Sequence, residues 1–228
     1  MPRRARLIQG GFFRHVLNRS NARAEIFSTE DEYAAFERVL EEAFRREPLR
    51  ILGYCVMPDH WHLVVWPRNG KDRQVSEFLR WLTVTHTQRW HAHRHTTGTG
   101  HLYQGRFRSF PVESDEHLYA VLRYVERNPV RANLVQRAQD WRWSSTWRRH
   151  RGDEEARRLL SPWPMTRPTD WLRRVNRAEG RGELEALRRC VQRGQPYGSE
   201  PWRLRITAQL GLESTFRPRG RPRNKPER

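Results

Sequence analysis

The sequence predicts an α+β domain with the ferredoxin-like split βαβ plan, an antiparallel sheet with helices on one face, followed by a basic extension. Short apolar runs alternate with amphipathic stretches in the order β-α-β-β-α-β-α, which is typical of that plan. The chain has 228 residues, 36% of them hydrophobic, which suffices for one well-buried core and an appendage. Prolines interrupt the chain at residues 162, 164 and 168, after a short segment over residues 157–160. We therefore predict a domain over residues 1–150 and a helical and flexible extension over residues 151–228.

The first strand and the first helix are predicted within residues 11–47. Residues 11–17 form a short aromatic and β-branched run that ends at a polar turn, as a strand does. Thr29 and Glu32 have the spacing of a capping box, which favours a helix start. Apolar residues then recur at helical spacing until Pro48: Tyr33, Phe36, Val39, Leu40, Ala43 and Phe44.

Two further strands are predicted on either side of a turn at residues 58–59, one over residues 49–56 and one starting at His60. Successive strand side chains point to opposite faces, so His60 and His62 emerge on the same side. Two imidazoles on a rigid strand can bind a metal, although a His-x-His pair alone is more often two ordinary side chains. The opposite face can pack under a helix layer through Trp61, Leu63 and Val65.

The second half of the domain is predicted as helix, strand and helix. Residues 75–94 are helical in character, and residues 101–112 are extended with a break at Gly105. The last helix starts near Ser114 and runs to about Arg127.

That last helix carries Tyr124 at the edge of its apolar stripe. The stripe recurs at helical spacing: Leu118, Val121, Leu122 and Val125. Tyr124 lies about 110° from the centre of the stripe, and Asn128 follows one turn later on the same flank. A hydroxyl and an amide oxygen there can reach one site between helix and sheet. The alternative is that Tyr124 is an interface aromatic and Asn128 a helix end before Pro129.

The charge of the chain indicates a polyanionic partner. Lys and Arg number 44 against 26 Asp and Glu, which gives a net charge of +18, and nucleic acid is the first candidate. No stretch approaches about 18 consecutive apolar residues and no apolar signal segment follows the basic start, so a membrane is not expected. We expect a cytoplasmic, nucleoid-associated protein.

The cysteines and the remaining histidines do not indicate further metal sites. Cys55 and Cys190 lack CxxC spacing, so neither a disulfide framework nor a zinc ribbon is expected. His91, His93 and His95 have no carboxylate or thiolate nearby in the sequence and are interpreted as cationic surface groups near phosphate.

The extension is predicted to hold two helices and a basic tail. Residues 184–191 form a short amphipathic helix, and another helix opens at the Ser-Glu-Pro of residues 199–201. The Arg-Gly-Arg-Pro-Arg of residues 219–223 resembles an AT-hook, a cationic strip that lies in a minor groove. The alternative for this tail is a solvated basic segment.

Three motifs in order carry a resemblance to a known family. They are Tyr-Cys-Val-Met-Pro-Asp-His-Trp-His at residues 54–62, Gly-His-Leu-Tyr-Gln-Gly-Arg-Phe-Arg-Ser-Phe at residues 100–110, and Leu-Arg-Tyr-Val-Glu-Arg-Asn-Pro-Val-Arg-Ala at residues 122–132. Together they resemble the single-tyrosine transposases of the IS200 type. The branch they resemble most is the REP-associated tyrosine transposases, named for repetitive extragenic palindromes. The resemblance covers about residues 9–148.

The resemblance implies a His-hydrophobe-His endonuclease fold that cleaves single-stranded DNA at hairpins with a divalent metal. It implies His60 and His62 as metal ligands, Tyr124 as the nucleophile and Asn128 as the third ligand. Relatives often carry Gln at the last position, so the shorter Asn128 is a departure from the pattern. Mn²⁺ accepts imidazole more readily than Mg²⁺, so such a site should respond better to Mn²⁺.

The candidate DNA-binding residues are arginines near the motifs and in the tail: Arg106, Arg108, Arg123, Arg131, Arg219, Arg221 and Arg223. Two other functions stay open at this point, a hairpin-binding protein of the same fold without cleavage activity and an RNA-processing nuclease. The sequence leaves open whether the protein is a monomer or a homodimer.

Overall fold

The computed structural model describes residues 8–217, in which four strands and nine α-helices are formed. The strands are β1 (Phe13–Arg19), β2 (Arg50–Met57), β3 (His60–Trp66) and β4 (Arg108–Val112). The helices of the domain are α1 (Glu30–Arg46), α2 (Gln74–His93), α3 (Glu116–Glu126), α4 (Asn128–Arg131) and α5 (Ser145–Arg151). Those of the extension are α6 (Glu154–Arg157), α7 (Trp171–Asn176), α8 (Arg181–Arg193) and α9 (Glu200–Leu210).

The sheet has the order β2-β3-β1-β4, and every neighbouring pair is antiparallel. This confirms the predicted α+β class and the split βαβ plan, since α1 and α2 each connect strands that are not neighbours. The two histidine positions lie on β3, one of the two central strands. In the ladders, His62 is opposite Leu17 of β1 and Cys55 of β2.

The helices cover both faces of the sheet, which corrects the expectation that they lie on one. Trp61 and its alternate neighbours on β3 pack with α1 and α2 in one buried cluster. The other face of the sheet is apolar as well, and it buries Leu52, Cys55 and Val64 with the apolar stripe of α3. Because a sheet with two apolar faces must be covered twice, α3 packs on the face that carries His60 and His62.

Local signals fix the starts of two helices, one on each face of the sheet. The capping box at Thr29 forms as predicted, with the Glu32 amide donating to the Thr29 side chain. Asp115 caps α3 by accepting from the His117 amide at 2.9 Å. The extended segment predicted over residues 101–112 is shorter in the structure, because Gly105 adopts a φ of +151° and regular pairing starts only at Arg108.

The extension packs against the sheet and α3. Two helices of the extension contribute to the same buried cluster as α3, through Trp171 and Val175 of α7 and through Leu187 and Cys190 of α8. Tyr197 also pairs with the edge of β4, since its amide donates to the Pro111 carbonyl at 3.0 Å.

The predicted boundary at residue 150 stays a prediction. No helix within residues 8–217 is long and apolar enough to cross a membrane.

Candidate active site

His60 and His62 lie side by side on the face of the sheet that α3 covers. Their ring centroids are 4.9 Å apart with an interplanar angle of 78°. Both residues are buried, with 9% and 2% of their surface exposed. The alternation of β3 therefore places two imidazoles at one point between sheet and helix, as the sequence predicted.

Each imidazole of the pair has a partner at Nδ1. The His60 Nδ1 contacts the carboxylate of Asp59, and the His62 Nδ1 lies 2.7 Å from the Nε2 of His15 on β1. Burial lowers the pKa of both rings, for His62 well below its usual value, while Asp59 partly opposes the effect at His60. Burial also lowers the pKa of His15, to about 3. Neutral rings that donate from Nδ1 keep the Nε2 lone pair for a ligand.

Asn128 lines the same cleft as the two histidines and is held by three hydrogen bonds. Its Nδ2 donates to the carbonyls of Tyr124 at 3.1 Å and Val125 at 3.2 Å, and its Oδ1 accepts from Arg131 at 2.7 Å. An amide oxygen has a second lone pair, so the bond from Arg131 leaves one acceptor position. Two imidazole nitrogens and one amide oxygen in one cleft are donor types that suit a divalent ion, and they suit Mn²⁺ better than Mg²⁺.

Tyr124 presents its ring to the histidines from α3. The ring centroid lies 6.0 Å from that of His62 and 6.3 Å from that of His15, and the residue is 7% exposed. The guanidinium carbon of Arg131 lies 4.4 Å from the ring centroid. Burial raises the pKa of the Tyr124 phenol, and the charges of Arg131 and Arg188 oppose that rise. The phenol is therefore protonated at neutral pH and needs assistance to act as a nucleophile.

These residues open onto one cleft of about 830 Å³ whose rim is rich in arginine. The arginines come from β1 and the turn after it, from the segment that leads into β4, from α4 and from α8: Arg19, Arg23, Arg106, Arg108, Arg131 and Arg188. His60, His62, Tyr124 and Asn128 line the same cleft. A concave surface of this size with one sign of charge favours an extended polyanion.

The structure places the predicted DNA-binding arginines in three groups. Arg106, Arg108 and Arg131 line the cleft. Arg123 does not, because it is one residue away from Tyr124 on a helix and points about 100° away, where it pairs with Glu183 beside a smaller pocket. The tail residues Arg219, Arg221 and Arg223 lie outside the described residues.

Sequence reasoning missed His15, Arg19, Arg23 and Arg188. A signal for His15 was present, since it lies in the run predicted as the first strand. Its position opposite Val64, on the face of His60 and His62, depends on the register between β1 and β3. Arg188 was missed because no local pattern shows that α8 of the extension forms a wall of the cleft.

A second cluster of ligand-type side chains lies apart from the cleft, at the start of α3. One atom each from Glu113, Asp115 and His117 lies within 4.8 Å of the others. The carboxylates have structural partners, since Asp115 caps α3 and Glu113 accepts from the Ser199 amide at 2.6 Å. This cluster therefore anchors the helix start and the extension.

The chain is similar to known proteins over the part that carries this cleft. The family model described as "Transposase IS200 like" matches residues 12–128, just over half of the chain. The REP-associated tyrosine transposase of Escherichia coli (strain K12) is 24% identical over 138 residues, which cover 60% of this chain and 78% of that protein. A solved structure of a REP-associated tyrosine transposase bound to a REP hairpin is similar, with a TM-score of 0.53 and 21% identity. That likeness covers 79% of this chain and 92% of the other and supports the fold.

Proposed function

The chain belongs to the IS200-like transposase family, and we propose that it is a metal-dependent endonuclease and strand transferase that acts on single-stranded DNA at or near REP-type hairpins. The observation that carries the proposal is the position of the Tyr124 ring, 6.0 Å from that of His62 in one arginine-lined cleft. The two side chains belong to α3 and β3, which only the fold brings together. The hairpin substrate is proposed because the similar solved transposase is bound to a REP hairpin.

Tyr124 is the proposed nucleophile. Its Oη loses its proton and forms a bond to the scissile phosphorus, while the bond from phosphorus to the 3′-oxygen breaks and that oxygen takes up a proton. The products are a 5′-phosphotyrosine and a free 3′-hydroxyl, so the energy of the phosphodiester is kept. A DNA 3′-hydroxyl can later attack the phosphotyrosine, which restores a phosphodiester and releases Tyr124.

His60, His62 and Asn128 are the residues that would hold the divalent metal, which when bound supplies Lewis-acid polarisation of a non-bridging phosphoryl oxygen. Asp59 and His15 fix the ring orientations of His60 and His62 through Nδ1. Arg131 and Arg188 place positive charge near the Tyr124 phenol and oppose the effect of burial on its pKa. Arg106 and Arg108 are exposed and line the cleft, where their positive charge would attract the DNA backbone.

The proposal is tested by incubating the purified protein with single-stranded DNA hairpins from its own genomic flanks. We expect cleavage that depends on Mn²⁺ or Mg²⁺ and a protein–DNA adduct that survives denaturing electrophoresis. Tight binding without any adduct would indicate the alternative, a hairpin-binding protein that does not cleave. Equal cleavage of an RNA hairpin of the same sequence would contradict DNA as the substrate, since A-form stems present different grooves.

We predict that the basic tail increases hairpin affinity and its salt dependence without taking part in cleavage. Changing Arg219, Arg221 and Arg223 together to Gln should weaken binding and lower the salt slope. Each lost phosphate contact should change the slope by about 0.7 on single strands and about 0.9 on a duplex stem. Binding measured between 50 and 200 mM salt gives the slope, and single-turnover cleavage at saturating DNA should be unchanged.

The matched control for the tail variant is a pair of substitutions in the cleft. Arg106→Gln with Arg108→Gln should also lower the slope, because both residues line the cleft itself. An unchanged affinity and slope in the tail variant, together with a reduced slope in the cleft variant, would show that the tail does not contact DNA.

A further inference from the structure

Glu179 of the extension is a buried carboxylate between two arginines of the domain. It lies between α7 and α8, and only 1% of its side chain is exposed. Its Oε1 accepts from Arg131 at 2.6 Å and its Oε2 accepts from Arg127 at 3.3 Å. A carboxylate withdrawn from water in this way depends on its cationic partners, and the partners depend on it.

Arg131 in turn contacts Tyr124, the proposed nucleophile, and Asn128, the proposed third metal ligand. While Nη1 donates to Glu179, Nη2 donates to the Asn128 Oδ1 at 2.7 Å and to the Tyr124 carbonyl at 3.0 Å. The same guanidinium lies over the Tyr124 ring at 4.4 Å. The guanidinium is planar and rigid, so a partner at Nη1 fixes the direction of Nη2 and of the charged face.

We propose that Glu179 is a positioning residue for strand cleavage, because it fixes Arg131 in the orientation that holds the Tyr124 ring and the Asn128 amide. The C-terminal extension then completes the active site, in addition to any role in DNA binding. This inference rests on the proposed function, since Tyr124 is taken as the nucleophile.

Packing of the extension does not require this role. The apolar contacts of Trp171, Val175, Leu187 and Cys190 with the cluster around α3 already attach the extension to the domain. A long arginine side chain, by contrast, loses much rotamer freedom when it is held in one geometry, so Arg131 needs an anchor. A buried carboxylate with two charged partners supplies such an anchor.

The test compares Glu179→Gln with Glu185→Gln in the full-length chain. Both changes remove one carboxylate charge in the extension, but Glu185 pairs with Arg181 at an exposed position of α8. We expect single-turnover cleavage at saturating DNA hairpin to fall by about tenfold or more in Glu179→Gln. Hairpin affinity should not weaken. The melting temperature of Glu179→Gln should fall below that of Glu185→Gln, because Arg127 and Arg131 lose a buried charged partner, so the rates are compared at a temperature at which both variants are folded. Glu179→Asp, which restores the charge, should recover part of the rate.

The position of the Tyr124 ring is measured separately in the free protein, without DNA or metal. Ring signals of labelled tyrosine are assigned to Tyr124 by their loss in Tyr124→Phe. In Glu179→Gln these signals should shift and report faster ring motion, whereas Glu185→Gln should leave them unchanged.

An unchanged rate, unchanged ring signals, or a rate loss that is accompanied by loss of hairpin affinity or of folded protein at the assay temperature would each overturn the inference. If the wild-type protein cleaves no DNA, the proposed function fails, and the ring signals still report whether Glu179 holds Tyr124.

Discussion

Replacing Tyr124 with phenylalanine should eliminate the covalent protein–DNA adduct and reduce strand cleavage by on the order of a thousandfold or more. The change removes only the hydroxyl, and the ring contacts with His62, His15 and Arg131 persist. Affinity for the DNA hairpin should therefore stay within about twofold, because we propose that the arginines of the cleft and tail, and not the Tyr124 hydroxyl, bind the DNA. The adduct is measured by denaturing electrophoresis with labelled DNA.

Tyr119→Phe is the matched control for this experiment. Tyr119 lies on the same helix, and its hydroxyl donates to the Thr166 carbonyl. It lines the smaller pocket and not the cleft, so its loss should leave the adduct intact. An adduct that persists in Tyr124→Phe and disappears in Tyr119→Phe would show that Tyr119, and not Tyr124, is the nucleophile.

The parts of the site that periodicity determines could be predicted from the sequence. Alternation along a strand placed His60 and His62 on one side, and helical spacing placed Tyr124 at the edge of a buried stripe. These predictions needed no knowledge of other elements. They agree with the structure, where both histidines and Tyr124 line one cleft.

The parts that depend on how elements pack could not be predicted. The packing of α3 on the face of His60 and His62 follows from apolar residues on both sides of the sheet, whereas the predicted plan has helices on one face only. The contact of His15 with His62 follows from strand register, across 47 residues of sequence. The link from Glu179 to Arg131 follows from the docking of the extension, and a lone glutamate between two helices carries no signal of it.

Loss of either histidine of the pair should have an effect comparable to loss of the nucleophile. We expect His60→Ala and His62→Ala to abolish metal-dependent cleavage, because each change removes one of the two proposed imidazole ligands from a site with few donors. Asn128→Ala should retain the histidine pair, so excess Mn²⁺ should restore more cleavage in Asn128→Ala than in either histidine variant. Titration calorimetry with Mn²⁺ measures the affinity of each variant without DNA.

Replacing the residues that contact Nδ1 of the two histidines should lower the affinity for Mn²⁺ by less than replacing the histidines themselves. Asp59→Asn and His15→Gln keep the ligands but alter the groups that orient the two rings, so the affinity for Mn²⁺ should fall by about 10- to 100-fold. His93→Ala, at an exposed position of α2, should leave it unchanged. The affinity for Mn²⁺ should therefore be lowest in His60→Ala and His62→Ala and intermediate in Asp59→Asn and His15→Gln. We expect this order if His60 and His62 bind the ion directly. Equal Mn²⁺ affinity in wild type, His60→Ala and His62→Ala would place the metal elsewhere, with the cluster of Glu113, Asp115 and His117 as the next position to test.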